Sequence, residues 1–312
     1  MKQIVIISGK GGTGKTILTA SFASLAKNKV MADCDVDAAD LYLLLHPNIK
    51  ETHKFTGLPK AKIDQKMCTG CGECINVCRY KAIIKIKSEN NKQKNQNRPS
   101  DSLLLTSNFY IDPVSCEGCK LCMYICPAKA ISIQENVSGE WYISETKYGF
   151  MVHAKLGIAE ENSGKLVTIV RQNARNVAEK DNLDYIIIDG PPGIGCPVIA
   201  SLSNVNIALV VTEPTLSGIH DMQRVISVAK HFGINVSCLI NKYDINLTNS
   251  KNIETWCKNN NLPLLGKIPF DLSVTESIVN GVPFIEYTEN KSTKEIENIW
   301  RRLNQLLLNS KY

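Results

Sequence analysis

The order of apolar and polar positions predicts that short buried strands alternate with amphipathic helices over most of the chain. The run Gln3–Ser8 is apolar and β-branched, and it leads directly into a glycine-rich stretch. The next segment, Lys15–Ala26, has apolar residues at helical spacing, and a second short apolar run, Lys29–Ala32, ends at Asp33. A strand, a glycine loop, a helix and a second strand, in this order, indicate the opening of a parallel α/β fold.

The same alternation returns in the second half of the chain. The predicted strands are Trp141–Ile143, Phe150–Leu156, Asp184–Asp189, Ile207–Thr212, Asn235–Ile240 and Leu264–Ile268, and the predicted helices are Leu166–Lys180, Ser217–Phe232 and Thr293–Leu308. Between about Leu58 and Gln134 the sequence is instead rich in cysteine and glycine. Neither flank alone supplies a full sheet. We therefore expect one doubly wound, mostly parallel α/β domain, residues 1–58 and 136–312, interrupted by a small α+β ferredoxin-like module over residues 59–135.

A phosphate-binding motif follows the first predicted strand. Residues 9–16 read GKGGTGKT, which satisfies G-x-x-x-x-G-K-[ST] and precedes a predicted helix. In such a loop the backbone amides surround phosphate oxygens, Lys15 contacts the β- and γ-phosphates, and Thr16 binds Mg²⁺. The residues predicted to hold the nucleotide are Gly9, Gly11, Gly12, Thr13, Gly14, Lys15 and Thr16.

Carboxylates follow two other predicted strands. Asp33 and Asp35 leave the second strand, where Asp35 can reach the Mg²⁺ sphere or orient the attacking water. Asp189 ends a later strand and precedes the segment GPPG, so we expect it to be a Mg²⁺ ligand beside a loop that senses the γ-phosphate. Asp37 and Asp40 are expected to cap the next helix.

Eight of the twelve cysteines form two runs with the spacing of bacterial two-cluster ferredoxins. In that spacing, three cysteines of one run and the fourth of the other share each cubane. One [4Fe–4S] cluster is therefore assigned to Cys68, Cys71, Cys74 and Cys126, and the other to Cys116, Cys119, Cys122 and Cys78. Zinc is the competing metal, but its structural sites usually pair two short C-x-x-C units around one ion.

Together these motifs resemble the MinD/ParA/nitrogenase-iron-protein superfamily, and within it the MinD-type ATPases with an inserted two-cluster ferredoxin domain. The resemblance rests on Lys10 in GKGGTGKT, on both cysteine runs, and on DCDVDAADL (33–41), EENSGKLV (160–167), DGPPGIGCPV (189–198), TEPTLSGIHD (212–221) and INKYD (240–244). It implies an ATPase that forms a homodimer around ATP, in which Lys10 reaches the partner's nucleotide. The catalytic residues would be Lys10, Lys15, Asp35 and Asp189.

The resemblance also implies roles for residues further along the chain. Asn241, Pro269 and Asp271 would border the adenine. Cys196 lies where nitrogenase-type iron proteins have a cysteine that holds a cluster shared by two subunits. Three interpretations stay open for Cys196: a packed or incidental thiol, a transient metal or redox role, or a bridging site completed by other groups. Cys34, Cys238 and Cys257 are expected to be small buried hydrophobes.

The bulk composition is that of an ordinary globular protein, with 44% hydrophobic and 21% charged residues. No apolar run approaches the length of about 20 residues that a membrane span needs, and the N-terminal apolar stretch lacks a cleavage site, so we expect a cytoplasmic protein. The net charge of +6 lies partly between Lys85 and Arg98. A solvated loop is favoured there over a docking surface for an acidic partner, and nothing else supports nucleic-acid binding.

The leading functional hypothesis combines the two sites. Closure of an ATP-bound dimer would gate electron transfer from an unidentified donor, through the clusters, to an unidentified acceptor. One alternative is an ATPase that assembles or carries iron–sulfur clusters. Another is a positioning ATPase like MinD or ParA in which the clusters are structural.

Overall fold

The computed structural model describes residues 1–86, 109–157 and 163–309, which form two compact units. The first contains Met1–His53, Glu140–Leu156 and the described chain from Ser163 onwards, and the second contains the described part of Lys54–Gly139 together with Gly157. The predicted basic loop from Lys87 onwards and residues 160–162 of the EENSGKLV segment lie outside the described residues.

Strands and helices alternate along the described chain. The strands are β1 (Lys2–Ser8), β2 (Lys29–Asp33), β3 (Asn48–Thr56), β4 (Lys60–Ile63), β5 (Ile83–Lys85), β6 (Phe109–Ile111), β7 (Ile131–Gln134), β8 (Val137–Thr146), β9 (Gly149–Leu156), β10 (Tyr185–Pro192), β11 (Ile207–Thr212), β12 (Asn235–Asn241) and β13 (Leu264–Ile268). The helices are α1 (Lys15–Leu25), α2 (Tyr42–Leu45), α3 (Glu73–Val77), α4 (Leu121–Ile125), α5 (Ser163–Lys180), α6 (Cys196–Leu202), α7 (Leu216–His231), α8 (Leu247–Asn259), α9 (Ser273–Val279), α10 (Phe284–Tyr287) and α11 (Lys291–Asn309).

The first unit is built on a nine-stranded sheet with the order β13-β12-β11-β1-β10-β2-β9-β8-β3. Neighbours from β13 to β9 are parallel, and in the centre Ile4 of β1 lies opposite Ile187 of β10 and Ile207 of β11. Both faces of β1 are buried, which explains its continuous apolar sequence. The prediction of a large, mostly parallel α/β sheet is confirmed.

At the far edge of this sheet, the predicted strand Trp141–Ile143 forms part of β8, whereas β3 was not predicted. A two-residue turn joins β8 to β9, a connection that makes these strands antiparallel. Strand β3 is almost entirely exposed and carries Lys50, Glu51, His53 and Lys54. Charged side chains protect an edge strand from pairing with other chains. Because of these charged residues, the sequence of β3 lacks the alternation of apolar and polar positions that predicts a strand.

The core of the first unit lies between the sheet and its helices. The side chains of α11 that bury one apolar face are Ile296, Ile299, Trp300, Leu303 and Leu307, as the sequence predicts. The ring of Trp300 lies 5.0 Å from that of Phe22 on α1, so two sequentially distant helices share one aromatic contact. Among the described residues, no helix is both long enough and apolar enough to cross a membrane.

The second unit repeats a strand–helix–strand pattern. Strands β4 and β5 flank α3, strands β6 and β7 flank α4, and the strands pair antiparallel across the two halves, β4 with β7 and β5 with β6. The backbone repeats as well. Lys81 and Lys129 have φ values of 55° and 52°, and the residues that precede the helices, Gly72 and Lys120, have 81° and 68°. A duplicated α+β arrangement follows.

We predict that Phe22→Ala destabilises the first unit by about 3–5 kcal/mol, because a fully buried aromatic side chain leaves a cavity and loses its contact with Trp300. Urea unfolding followed by tryptophan fluorescence measures this change. Phe232→Ala is the matched control, since Phe232 is 49% exposed, and it should change stability by less than about 1 kcal/mol. Equal losses in the two variants would contradict the packing described here.

Candidate nucleotide and metal sites

The phosphate-binding motif lies at the carboxyl edge of the parallel sheet. It connects β1, which ends at Ser8, to α1, which begins at Lys15. Gly12 and Gly14 have φ values of 76° and 90°, a left-handed conformation that favours glycine. The loop is also closely packed, since a Cβ on Gly14 would overlap the side-chain amide of Asn241, and one on Gly9 would overlap the backbone of Asp221. Its glycines are therefore required by backbone shape and by packing.

Three carboxylates converge beside this loop. Asp33 and Asp189 are opposite each other in the β2–β10 register, and the Asp35 carboxylate lies 3.8 Å from Lys15 Nζ. The Thr19 hydroxyl donates to Asp189 Oδ1 at 3.1 Å. Parallel neighbouring strands end at one edge, so the topology brings together residues that are far apart in sequence.

Burial shifts the protonation of all three carboxylates. It raises the pKa of Asp35 to about 6 and also raises the pKa of Asp189. The pKa of Asp33 is raised well above its usual range by burial and by repulsion from Asp189. Within the described chain, Oδ2 of Asp33 is buried without a hydrogen-bond partner. A bound cation offsets both the burial and the mutual repulsion of such carboxylates. The chemistry of these donors suits the predicted Mg²⁺ site, but among the described residues no three such side chains are arranged to hold a metal ion by themselves.

A cavity of about 520 Å³ opens next to the loop and the carboxylates. The predicted site residues that line it are Gly11, Gly12, Gly14, Lys15, Thr16, Asp35, Asn241, Pro269 and Asp271. Apolar side chains, among them Ile268, Phe270 and Val274, line it as well. The other predicted site residues, Gly9, Lys10, Thr13 and Asp189, do not line it. A polar, glycine-rich region continuous with apolar walls suits a ligand that has phosphates and a flat base.

The residues predicted to border the adenine also brace the cavity walls. Asn241 Nδ2 donates to the carbonyl oxygen of Thr13 at 2.8 Å. The Asp271 carboxylate accepts hydrogen bonds from Ser273 and from Asn290, so it holds the start of α9 and the loop before α11. Sequence reasoning missed Asp244, whose carboxylate accepts the Phe270 backbone N–H at 2.7 Å. The spacing gave no sign of that contact, because the two residues meet only in the folded chain.

The prediction that Asp37 or Asp40 caps the next helix is wrong. Helix α2 is preceded by Leu41 and has no side-chain cap. Asp37 is exposed, and Asp40 lines the cavity instead. The helix has only four residues, and its N-terminal amides are close to the buried Asp33, which accepts the backbone hydrogen bond of Leu41.

Lys10 is held within its own chain. Its ammonium lies 2.5 Å from Glu213 Oε1 and within 3.5 Å of the hydroxyls of Thr215 and Ser217. Although burial alone would raise the pKa of Glu213, hydrogen bonds and charge from Lys10 and Lys242 lower it. Sequence reasoning did not identify Glu213. Its signal was an acidic residue that directly follows a buried strand, the same position that singled out Asp189.

In the second unit the eight cysteines line two cavities, four in each. Cys68, Cys71, Cys74 and Cys126 line one cavity, and Cys78, Cys116, Cys119 and Cys122 line the other. Each cavity thus takes three cysteines from one run and the last cysteine of the other run. Across the described ranges, no group of three or more His, Cys, Asp or Glu side chains is arranged to hold a metal ion.

The other four cysteines divide into two kinds. Cys34, Cys238 and Cys257 are buried, which confirms that prediction. Cys196 is exposed at the start of α6 and lies against α5, where a Cβ on Gly164 would be 3.2 Å from the Cys196 Cβ. Gly164 belongs to the segment EENSGKLV, which contains no cysteine, so no second thiol meets Cys196 at this contact.

Comparison with known proteins identifies the class. The family described as the CobQ/CobB/MinD/ParA nucleotide binding domain matches residues 4–284, and the chain belongs to this family. The septum site-determining protein MinD of Pyrococcus horikoshii, solved with Mg-ADP, has the same fold, with a TM-score of 0.58, 18% identity, and coverage of 100% of this chain and 99% of that one. The sheet and loop are those of a MinD/ParA-type P-loop ATPase.

Two relatives show how far the sequence similarity extends. Uncharacterized protein MJ0578 of Methanocaldococcus jannaschii is 32% identical over 311 residues, which cover 98% of this chain and 97% of that protein. The iron-sulfur cluster carrier protein of Pyrococcus abyssi is 27% identical over 154 residues, 45% of this chain and 52% of that protein. The similarity to the first runs from end to end, whereas the second matches only part of each chain.

We predict that Asp35→Asn stabilises the nucleotide-free, Mg²⁺-free protein at pH 7 by on the order of 1–2 kcal/mol, a value reduced for partial exposure to solvent. Burial raises the pKa of Asp35 to about 6, above the value of about 3.9 in an unfolded chain, so the folded state disfavours the ionised form. The penalty appears as pH rises from about 4 to about 6 and is complete at pH 7.

Urea unfolding at several pH values measures the difference in the free energy of unfolding between this variant and the wild type. The difference should be largest above pH 6 and should shrink towards pH 4. Asp181→Asn, which removes an exposed carboxylate after α5, is the control and should show little effect at any pH. A difference that stays constant with pH would contradict the role given to the burial of Asp35.

Proposed function

We propose that this protein binds and hydrolyses ATP as a homodimer and that each chain carries two [4Fe–4S] clusters. Closure of the ATP-bound dimer would control electron transfer through these clusters. The ATPase proposal rests on the cavity that is lined by Lys15, Thr16 and Asp35 together with apolar side chains. Membership of the MinD/ParA-type family supports the same conclusion.

The chain's own residues account for the chemistry of hydrolysis. The amides of the phosphate-binding loop and the ammonium of Lys15 would neutralise charge that develops on the γ-phosphate. Thr16 and Asp189 would hold Mg²⁺, which when bound would neutralise negative charge on the phosphates. Asp35 would complete that sphere or orient the attacking water, and a carboxylate with a pKa of about 6 can accept a proton near neutral pH. Asn241, Pro269 and Asp271 would border the adenine.

The homodimer is proposed from the resemblance of Lys10 to the lysine that crosses the subunit interface in this superfamily. In the single chain Lys10 is bound to Glu213, so its ammonium is not committed to its own cavity. A triphosphate on a second subunit is a stronger partner for this cation than one carboxylate, because it carries more negative charge. ATP would thus favour association.

The second unit supports the cluster proposal by its donors. The two cavities contain four cysteines each, divided three and one between the runs. Backbone amides already face two of the sulfurs: Ala61 N–H donates to Cys116 Sγ at 3.5 Å and Ala130 N–H to Cys126 Sγ at 3.3 Å. Such hydrogen bonds stabilise thiolates and tune a cluster's potential. When bound, a [4Fe–4S] cluster would supply one-electron chemistry.

The spacing of the cysteines along the sequence bears on the choice between a cubane and zinc. Four thiolates around one zinc at about 2.3 Å lie roughly 3.8 Å apart by tetrahedral geometry. A cubane places its ligands at four separate irons, so its thiolates lie further apart. The cysteines form two C-x-x-C-x-x-C-x-x-x-C runs, which match the ligand sets of two cubanes better than the paired C-x-x-C units of a structural zinc site.

A cluster carrier is the second candidate, because the Pyrococcus abyssi relative carries that name. Resident clusters should remain bound during anaerobic gel filtration with a chelator, because each would be held by four cysteines. Cargo clusters should be lost to the chelator or transferred to an apo-ferredoxin. The eight cysteines in two complete sets favour resident clusters.

We predict that Lys15→Ala lowers the rate of ATP hydrolysis by about 10²-fold or more while the iron content is unchanged, because it removes the charge that faces the phosphates. Lys10→Ala should lower hydrolysis through weaker association, so raising the protein concentration should partly restore it. Lys258→Ala, an exposed position on α8, is the control. A Lys15→Ala protein that hydrolyses ATP normally would refute the site.

We predict that Cys126→Ser halves the iron content, from about eight to about four atoms per chain, because it removes one ligand set. Two double variants then test whether the sets are crossed. With Cys68→Ser added, both changes fall in one set and about half of the iron should remain. With Cys116→Ser added, the changes fall in different sets and little iron should remain.

Uncrossed sets would reverse the outcomes of the two double variants, so metal analysis of anaerobic protein decides between them. Cys257→Ser, a buried cysteine outside both sets, should keep all of its iron. Zinc in place of iron in the wild type would overturn the cluster proposal altogether and leave the ATPase proposal standing.

A further inference from the structure

The segment TEPTLSGIHD, residues 212–221, packs against the phosphate-binding loop in a way that the proposed chemistry does not use. It connects β11 to α7. The Thr215 hydroxyl accepts the Gly218 N–H at 3.0 Å and so caps α7, and the Thr212 hydroxyl donates to the Gly218 carbonyl at 3.1 Å. A Cβ on Gly218 would be 2.5 Å from the Glu213 carbonyl oxygen. The segment is thus a closely bonded turn.

This turn presents three oxygen-bearing side chains to one cation. Lys10 Nζ lies 2.5 Å from Glu213 Oε1, 3.4 Å from Thr215 Oγ1 and 3.5 Å from Ser217 Oγ. The side chain of Glu213 is 13% exposed and that of Lys10 is 31% exposed. The pair is therefore more shielded from water than an ordinary surface ion pair, which strengthens it.

Glu213 has a second cationic partner. Lys242 Nζ lies 3.4 Å from Glu213 Oε2 and donates to the Gly12 carbonyl oxygen at 3.2 Å. If Lys10 leaves, Glu213 still has the charge of Lys242 beside it. Removing one partner from a shielded ion pair is costly when the other charge is left alone. Lys242 reduces that cost and makes the departure of Lys10 feasible.

We propose that Glu213, Thr215 and Ser217 form a cradle that holds Lys10 within its own subunit and must release it before the ATP-bound dimer can close. This inference rests on the proposed role of Lys10 across the dimer. Each subunit gives up one Lys10–Glu213 contact on closure. The cradle therefore sets how much binding energy the nucleotide must supply, and it disfavours association without ATP.

The test is the dimer dissociation constant of Glu213→Gln, measured by sedimentation with a non-hydrolysable ATP analogue. The amide keeps the shape of the side chain and can still accept a hydrogen bond from Lys242. We expect tighter association by about fivefold per subunit, or about 25-fold per dimer, the change that loss of an ion pair of ordinary strength would give. Association as weak as, or weaker than, that of the wild type would overturn the inference.

A second readout separates the cradle from a structural brace. Nucleotide affinity of the monomer, measured by fluorescence with a labelled ADP at protein concentrations where no dimer forms, should be unchanged in Glu213→Gln. A brace of the phosphate-binding loop would weaken it. Glu254→Gln is the matched control, because it removes the same charge from the ion pair between Glu254 on α8 and Lys267 on β13, and it should change neither quantity.

Two further variants keep the test decisive. Ser217→Ala, a milder change, should tighten association to a smaller degree if Glu213→Gln folds poorly. In a Lys10→Ala background, Glu213→Gln should have no effect on association. If Lys10→Ala itself dimerises as tightly as the wild type, the proposed role of Lys10 fails. If Lys10→Ala weakens association but Glu213→Gln and Ser217→Ala leave it unchanged, only the cradle fails.

Discussion

The rest of the ATPase unit depends on the burial of three carboxylates at one edge of a parallel sheet. Asp33 and Asp189 come from neighbouring strands and Asp35 from the turn that follows, beside Lys15. Burial raises the pKa of each carboxyl, so the arrangement is unfavourable when all three groups are ionised. A cation and a phosphate chain relieve that condition, because each supplies a charge or donor that the fold has placed nearby. Burying these carboxylates at the proposed reaction site therefore lowers the free energy of unfolding of the ligand-free protein.

The same constraint explains why some of this site could be predicted from sequence. A glycine loop needs left-handed residues between a strand and a helix, and only a few residue orders satisfy that, so Gly12, Gly14, Lys15 and Thr16 could be identified from the motif. Strands that are buried on both faces are continuously apolar, so most of the parallel sheet was predictable as well. The charged edge strand β3 was not, because its side chains face water and lack alternation.

Contacts made by polar side chains were the least predictable. Glu213, Asp244 and Asn241 each hold a loop through partners at least 26 residues away in sequence, and periodicity carries no information about such pairs. The cap predicted from Asp37 and Asp40 failed for a related reason. Local capping rules consider only residues next to the helix start in sequence. Here the carboxylate of the buried Asp33 accepts the backbone hydrogen bond of Leu41 instead.

One chain contains both the nucleotide cavity and the two cysteine-lined cavities. The proposed coupling between nucleotide and clusters is tested most directly by a redox titration of the anaerobic protein, followed by electron paramagnetic resonance, with and without a non-hydrolysable ATP analogue. Coupling predicts a shift of tens of millivolts in at least one potential, since about 59 mV is a tenfold change for a one-electron couple. The shift should be absent in Lys15→Ala. Potentials that are identical in both nucleotide states of the wild type would contradict the claim.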